Sequence, residues 1–294
     1  MMRSLFSGVS GLKSHQTAMD VIGNNVANVN TTGYKSSRAI FQDIYSQTIS
    51  TATPPGATTG GINPKQVGLG VSISAIGMNM TEGSTQSTSY PLDFAISGEG
   101  FFVVDTGEGL RYTRSGALTL DANGCLVTGN GDYVMAVHED SDGDPDTSLI
   151  ENGDSVANFK RIQLLGSVAG GQYVDYAVDV NGVITATFID NDPAEDPEVR
   201  RIGRLVLATF NNAAGLEKTG ASMYTSSPNS GAPVYHFAND GGAGALQAGS
   251  LEMSNVDLAS ELTSMIITQR GFQANSRVIT TSDTMLEELI NLKR

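Results

Sequence analysis

The chain is short of cysteine and of charged residues. It holds a single cysteine, Cys125, among 294 residues, so it can form neither an intrachain disulfide nor a cysteine-based metal cluster. Only 16% of its residues are charged, against about 25% in ordinary soluble domains. No stretch approaches the ~20 consecutive apolar residues that a membrane-spanning helix needs. The sequence therefore predicts no disulfide scaffold and no insertion into a membrane.

The first residues also lack the continuous hydrophobic segment of a secretory signal. Small and polar residues interrupt every apolar run there, among them Ser7, Gly8, Gly11 and Lys13. If the protein leaves the cell, we expect it to use another route.

Charge is unevenly distributed along the chain. The net charge is −14. Residues 1–50 carry four basic and two acidic side chains, and residues 251–294 carry four basic and six acidic ones, so the two ends cancel. The whole negative charge therefore lies in residues 51–250. An acidic middle argues against nucleic-acid binding, which needs a basic surface.

The middle of the chain has the pattern of β-structure. The chain has 34 glycines, and short alternating apolar runs are separated by turn residues. The Asn123-Gly124 and Asn181-Gly182 steps are typical of tight hairpins. This pattern predicts a mainly antiparallel β domain.

The two ends of the chain instead have a seven-residue repeat of apolar side chains. Near the C-terminus the repeat consists of Leu258, Met265, Phe272, Ile279 and Leu286, with Leu262 beside it. Near the N-terminus it consists of Leu5, Leu12, Met19 and Val26. Such a repeat is typical of helices that pack in coiled-coil fashion. We expect helices from about Ser4 to Asn28 and from about Ser254 onward, the second capped by Ser254 and Asp257.

Together these patterns predict an α+β fold with paired, coiled-coil-like terminal helices flanking a mainly antiparallel β middle domain. Residues 1–50 and 251–294 would form a helical assembly domain, and residues 51–90 an extended connector. Residues 91–250 would form the β-rich outer domain, with an acidic insertion at 138–200 and loop-like chain at 211–249.

The two apolar stripes could form an ordinary core or an assembly surface. We favour assembly, because two such stripes at opposite termini with nearly cancelling charge can pack in many copies. Burial of one stripe barely offsets the entropy of ordering about sixty residues. We therefore predict that the termini order fully only when several copies surround each other.

Candidate chemical sites are weak. The run from Asp140 to Glu151 spaces its carboxylates like a calcium loop, but Pro145 replaces the glycine that the sharp turn needs. His15, His138 and His236 have no ligand spacing, and Cys125 has no predicted base beside it. The glycine pairs lack the strand–loop–helix context of a phosphate site. The sequence thus predicts no enzyme, no catalytic residue, no cofactor and no metal.

Several segments resemble bacterial flagellar rod and hook proteins. These segments are Gly8–Leu12, Met19–Asn30 and Thr32–Lys35 near the N-terminus, Leu92–Val104, Tyr112–Gly116 and Asp121–Gly124 in the middle, and Ser254–Ala259, Gln269–Asn275 and Met285–Leu289 near the C-terminus. They cover both ends and about a third of the middle. Within the family, the first four residues, the Phe6-Ser7 step and Gln66–Val71 look most like a short hook protein, and the distal rod protein is the alternative.

The resemblance implies a self-assembling structural subunit of a helical tube. In the hook this tube is a flexible joint that transmits motor torque to the filament, and in the distal rod it is a straight, rigid shaft. Implied partners are other copies, axial proteins of the distal rod, hook cap and hook–filament junction, and the flagellar export apparatus. The implied location is the flagellum outside the cell after export. For subunit contacts we add Asn24, Asn25, Asn28, Arg270 and Asn275 to the apolar repeat, because they match family motifs near the stripes.

Overall fold

The computed structural model describes residues 2–56, 60–138, 159–168, 171–190 and 197–292. The described chain contains two helices, α1 (Met2–Ala27) and α2 (Leu258–Asn291). The strands, in chain order, are β1 (Ser37–Asp43), β2 (Ser46–Ser50), β3 (Lys65–Gly68), β4 (Val71–Met78), β5 (Thr85–Ser87), β6 (Phe94–Ser97), β7 (Phe101–Asp105), β8 (Leu110–Thr113), β9 (Leu118–Leu120), β10 (Leu126–Thr128), β11 (Tyr133–His138), β12 (Lys160–Arg161), β13 (Gly166–Val168), β14 (Gly171–Val178), β15 (Val183–Asp190), β16 (Glu198–Thr209), β17 (Glu217–Gly220), β18 (Met223–Thr225), β19 (Val234–Phe237), β20 (Ala245–Ala248) and β21 (Ser250–Glu252).

These elements form two compact units. The helical unit comprises Met1–Asn28, Ser36–Asn79 and Val256–Arg294. The β unit comprises Val29–Lys35 and Met80–Asn255. The chain therefore passes between the two units four times.

In the helical unit, the helices α1 and α2 pack against each other in antiparallel orientation. The side chains of Ser4 and Ser282 meet at one end, and those of Asn25 and Glu261 meet at the other. A two-stranded ribbon accompanies the helices, in which β1 pairs with β4 and β2 pairs with β3. Ser10 and Ser14 of α1 hydrogen bond to the backbone of Val71, which fixes the start of β4 against that helix.

In the β unit, thirteen of the described strands form one antiparallel sheet. Its main path runs β13-β14-β15-β16-β11-β7-β8-β18-β17. The strand β16 is central, because it pairs with β15, β11, β7 and β19 along its length. Two further pairs, β20 with β6 and β21 with β5, join distant parts of the chain.

The β unit owes its stability to a conventional apolar core. Its members are large aliphatic and aromatic side chains almost wholly removed from water, and removing apolar surface from water is the main driving force of folding. They include Phe94, Ile96, Phe102, Val104, Leu126, Val134, Ile162, Leu164, Ile184, Ile202, Leu205, Leu207 and Leu246.

The predicted fold class is confirmed, since two terminal helices flank a β middle whose named strands all pair in antiparallel fashion. The predicted start of the second helix is wrong. The helix begins at Leu258, and the side chain of Asp257 caps it by accepting a hydrogen bond from the Ala259 amide at 3.0 Å. Asp257 itself is extended, and just before it the Asn255 side-chain amide donates to the Thr81 carbonyl oxygen at 3.0 Å.

The units differ from the predicted division in three places. Residues 51–90 were expected to be an extended connector in which the alternation of Val71, Ile73 and Ala75 indicates one strand. That strand is β4, and the stretch also includes β3 and β5. Residues 211–249 were expected to be loop-like, but they include β17, β18, β19 and β20, each too short to show a clear alternation. The described part of 138–200 joins the main sheet through β12, β14, β15 and β16.

Candidate assembly surface

The contact between α1 and α2 is built from small and polar residues. The Ser4 and Ser282 hydroxyl oxygens lie 3.4 Å apart, and the Asn25 amide nitrogen lies 3.2 Å from a Glu261 carboxylate oxygen. The α1 residues that face α2 follow alternating spacings of four and three, the a and d positions of a heptad. This α1 seam consists of Ser4, Gly8, Gly11, His15, Ala18, Ile22 and Asn25.

Two glycines allow the helices to approach closely. A Cβ atom at residue 11 would lie only 2.6 Å from the Asn275 amide nitrogen, and one at residue 271 would lie 2.7 Å from the His15 ring. Both distances are shorter than a normal van der Waals contact. A larger residue at either position would force the Asn275 or His15 side chain to move.

The predicted α1 residues lie to one side of this seam. Leu5, Leu12, Met19 and Val26 are each half-buried, and each follows a seam residue directly in the sequence. Sequence reasoning chose this stripe because it holds the large apolar residues. It missed the true seam because glycine, serine and alanine carry little hydrophobic signal.

The predicted α2 residues divide into two groups. Met265, Phe272, Ile279 and Leu286 are half-buried, and Ile279 lies 3.1 Å from where a Cβ of Gly8 would be. Asn275 is also half-buried, opposite Gly11. Leu258, Leu262 and Arg270 are exposed. Ile279 and Asn275 therefore take part in the pairing of α2 with α1. The exposed group is accessible to other molecules.

The asparagines near the end of α1 make bonds within the chain. Asn25 is fully buried, its amide nitrogen donates to the Ser37 carbonyl oxygen at 2.8 Å, and its amide oxygen accepts from the Ser37 amide at 3.0 Å. Asn28 donates to the Asn24 carbonyl oxygen at 2.9 Å. These contacts shape the helix end and the approach to β1.

The helix α2 exposes a large apolar surface. Within α2, which the structure describes in full, the buried residues are only Thr268 and Ser282. Leu258, Leu262 and Ile266, spaced by four, form an exposed ridge. A second set, here called the exposed apolar face of α2, shares one side of the helix at 100° per residue. It consists of Ile267, Val278, Met285 and Leu289.

The β-ribbon is exposed as well. Every described residue from 41 to 69 is exposed, and Tyr45 is 86% exposed. Apolar side chains in this stretch include Phe41, Ile44, Ile49 and Ile62. An isolated two-stranded hairpin is at best marginally stable in water. Contiguous apolar patches of this kind are typical of protein–protein contacts.

Comparison with known proteins identifies this architecture. Residues 5–35 match the family described as flagella basal body rod protein. Residues 95–186 match the flagellar hook protein FlgE/F/G D1 domain, and residues 247–292 match the C-terminal region of the flagellar basal body rod FlgEFG proteins. The chain is 44% identical over 295 residues to the flagellar basal-body rod protein FlgG of Bacillus subtilis, covering all of both chains. The chain belongs to the flagellar rod and hook protein family.

Other members of the flagellar rod and hook family are less similar. The hook protein FlgE of Borreliella burgdorferi is 31% identical over an alignment of 448 residues that covers all of both chains. The rod protein FlgG of the same organism is 34% identical over 300 residues, again covering all of both chains. The chain is therefore a structural axial subunit of the flagellum rather than an enzyme, and it assembles with other axial components.

Two further observations concern sites of other kinds. Neither helix of the described chain is long and apolar enough to traverse a membrane. No group of three or more potential metal ligands occurs among the described residues. The acidic run from Asp140 to Glu151 lies outside the described residues.

Proposed function

We propose that the chain is a subunit of the distal rod, the straight and rigid part of the flagellar shaft. The comparisons favour this interpretation over the hook expected from the sequence. The observation that carries the proposal is the length of the alignments: those to FlgG proteins span 295 and 300 residues, whereas those to hook proteins span 448 and 469 residues. A chain of 294 residues lacks the long additional segments that the hook relatives carry.

The exposed surfaces of the helical unit supply contacts for such a polymer. The ridge of Leu258, Leu262 and Ile266, together with the exposed apolar face of α2, would be covered by neighbouring copies. The exposed β-ribbon would be covered in the same way. Burial of apolar side chains contributes about 1.5–3 kcal/mol each when it is complete. Several such residues per copy are enough to drive association in a crowded polymer.

The proposed partners follow from this position in the flagellum. The proposed partners are other copies of this chain, the axial proteins that adjoin the rod and hook, and the export apparatus that delivers subunits. Among the predicted assembly residues, we keep Leu258, Leu262 and Arg270 as intersubunit contacts. We reassign Asn275 and Ile279, which lie against Gly11 and Gly8, to the helix pair within one chain. The half-buried apolar residues stay candidates at its border: Leu5, Leu12, Met19, Val26, Met265, Phe272 and Leu286.

Imaging of the tagged protein in isolated hook–basal bodies tests the proposal. We expect an antibody against the tag to label the straight shaft below the hook, and a deletion strain to lack the distal shaft. Label along the curved hook would overturn the rod assignment in favour of the hook. The hook alternative keeps support from the 31% identity to hook proteins.

A further inference from the structure

The β unit contains a buried cluster of three charged side chains. Lys35 and Glu252 are 2% and 1% exposed, and the Lys35 ammonium lies 2.7 Å from one Glu252 carboxylate oxygen. The Arg114 guanidinium, also buried, lies 2.5 Å from the other oxygen. Charged side chains are almost never fully buried unless they are paired. Both oxygens of Glu252 are thus engaged by a cation.

The remaining polar atoms of the cluster bind the backbone. The Gly83 amide donates to Glu252 at 3.0 Å, and the Lys35 ammonium donates to the Thr81 carbonyl oxygen at 2.9 Å. The Arg114 guanidinium donates to the carbonyl oxygens of Gly98 at 2.6 Å and Ile96 at 3.0 Å. The cluster therefore ties together chain segments that are far apart in the sequence.

These segments are the ends of the two stretches that make up the β unit. Lys35 is the last residue of the stretch Val29–Lys35, and Thr81 lies at the start of the stretch Met80–Asn255. Glu252 lies three residues before the end of that second stretch, and its carbonyl oxygen accepts from the Gly33 amide at 2.8 Å. Three of the four points at which the chain enters or leaves the β unit, here called its exits, are therefore held by Glu252 and the residues that bind it.

Electrostatics keeps the carboxylate ionised at neutral pH. Burial by itself raises the pKa of Glu252, but the Arg114 charge and the hydrogen bonds from Gly83, Lys35 and Arg114 outweigh burial, so the pKa lies below its usual value. Burial lowers the pKa of Lys35, and its contacts with Glu252 oppose that shift. A well-packed apolar cluster is often as stabilising as a buried ion pair. General stability therefore does not explain why charge is used here.

We propose that Glu252 is a positioning residue: through its contacts with Lys35, Arg114 and Gly83 it fixes the exits of the chain on the β unit. We call this arrangement the clasp. Ionic and hydrogen-bonded contacts have defined geometry, so they hold these exits in place where an apolar cluster would let them slide. In a rotating shaft, fixed exits would pass load along the chain into the sheet. That last consequence rests on the proposed function, whereas the clasp itself does not.

Hydrogen exchange on the dilute full-length protein tests the clasp. The variant is Glu252→Gln, and the matched control is Glu198→Gln, which removes the carboxylate of an exposed pair with Arg200 at 2.8 Å. In Glu252→Gln we expect exchange of the amides of Gly33, Gly83 and Asn255 to rise on the order of hundredfold, because breaking a buried ion pair leaves cations without a counter-charge. Amides of residues 205–208 in β16 should exchange as in the wild type, and the control should change neither region.

Two results would overturn the inference. An equal rise in β16 and at the exits would make Glu252 a general stabiliser, and no rise at the exits would mean that they are held by other contacts.

If Glu252→Gln does not fold, Lys35→Met replaces it. This variant leaves the pair of Arg114 and Glu252 intact, so exchange should rise at Gly83 but not at residues 96–100, and a rise in both places contradicts the clasp. The measurement uses monomers, so its outcome does not depend on whether the protein lies in the rod.

Discussion

The two units bury opposite kinds of residue. In the β unit, Phe94, Phe102 and Leu205 are completely buried. In the helical unit, the residues between the helices are mostly small or polar, while Ile267 and Met285 are 66% and 51% exposed. The β unit therefore satisfies its hydrophobic residues within one chain. The helical unit pairs its helices mainly through small and polar residues and leaves large apolar side chains such as Ile267 and Met285 exposed.

The first prediction compares a core residue of one unit with an exposed residue of the other. Phe102→Ala should lower the free energy of unfolding of the β unit by about 3–5 kcal/mol, because it leaves a cavity. Ile266→Ala, at an exposed helical position, should change the stability of the monomer by less than about 0.5 kcal/mol.

Urea unfolding of the monomer separates these two effects. Of the nine tyrosines, all but Tyr45 lie in the β unit, so near-ultraviolet circular dichroism reports on that unit. Ellipticity at 222 nm reports mainly on the helices. A loss above about 2 kcal/mol for Ile266→Ala would contradict the comparison, because it would mean that this side chain stabilises the monomer.

The second prediction concerns the pH dependence of the β unit. The pKa of Glu252 is lower in the folded protein than its ordinary value of 4.5. Between the two values the unfolded chain binds more protons, so the stability that Glu252 contributes is complete above about pH 4.5 and is lost as the pH falls through the lowered pKa. At pH 7, Glu252→Gln should lower the free energy of local opening where the chain leaves the β unit by about 3 kcal/mol, the equivalent of the hundredfold rise in amide exchange.

Hydrogen exchange of the Gly33, Gly83 and Asn255 amides at several pH values checks this dependence. The difference in protection of these amides between wild type and Glu252→Gln should shrink steadily below pH 4.5. A difference that stays constant into strong acid would show that the carboxylate charge is not what stabilises the cluster.

The third prediction sharpens the comparison inside one helix. Gly11→Ala should weaken the pairing of α1 with α2 by about 1–2 kcal/mol, since the added methyl group meets Asn275. A Cβ atom at residue 23 would meet no other atom within 4 Å, so Gly23→Ala should stabilise the helix by up to about 1 kcal/mol. Ellipticity at 222 nm in the dilute monomer should fall for the first variant and hold or rise for the second. Equal behaviour of the two variants would mean that the seam does not need glycine.

Much of the fold could be predicted from the sequence. The seven-residue repeat through Met265, Phe272 and Ile279 predicted the second helix, which spans Leu258–Asn291. Turn signals such as Asn181-Gly182 located hairpins, and the Gly182 amide does close a turn onto the Asp179 carbonyl oxygen at 2.9 Å. These features depend on local sequence, which is why they could be predicted.

Features that depend on distant residues could not be predicted in this way. Glu252 gave no signal, because its partners Lys35 and Arg114 are 217 and 138 positions away. The seam through Gly8 and Gly11 was missed because small residues carry little hydrophobic signal. Their role in packing becomes visible only when the partner helix is in place. The expectation that the terminal helices order fully only among several copies stays a prediction, and the helical ellipticity of the dilute monomer tests it.

The exposed apolar face of α2 is expected to serve assembly and not the fold of the single chain, and this is the central claim. The most direct measurement uses the double variant Ile267→Asp with Met285→Asp, whose positions lie about five helical turns apart on the same side of α2. The control is the double variant Ile267→Leu with Met285→Leu, which keeps both side chains apolar and of similar volume.

Each variant is expressed in a deletion strain, isolated basal bodies are imaged, and the ellipticity of the purified monomer is recorded. We expect the double variant to be absent from basal bodies although its monomer has the ellipticity of the wild type, and we expect the control to assemble. Normal assembly of the double variant, or loss of helix in its monomer, would contradict the claim.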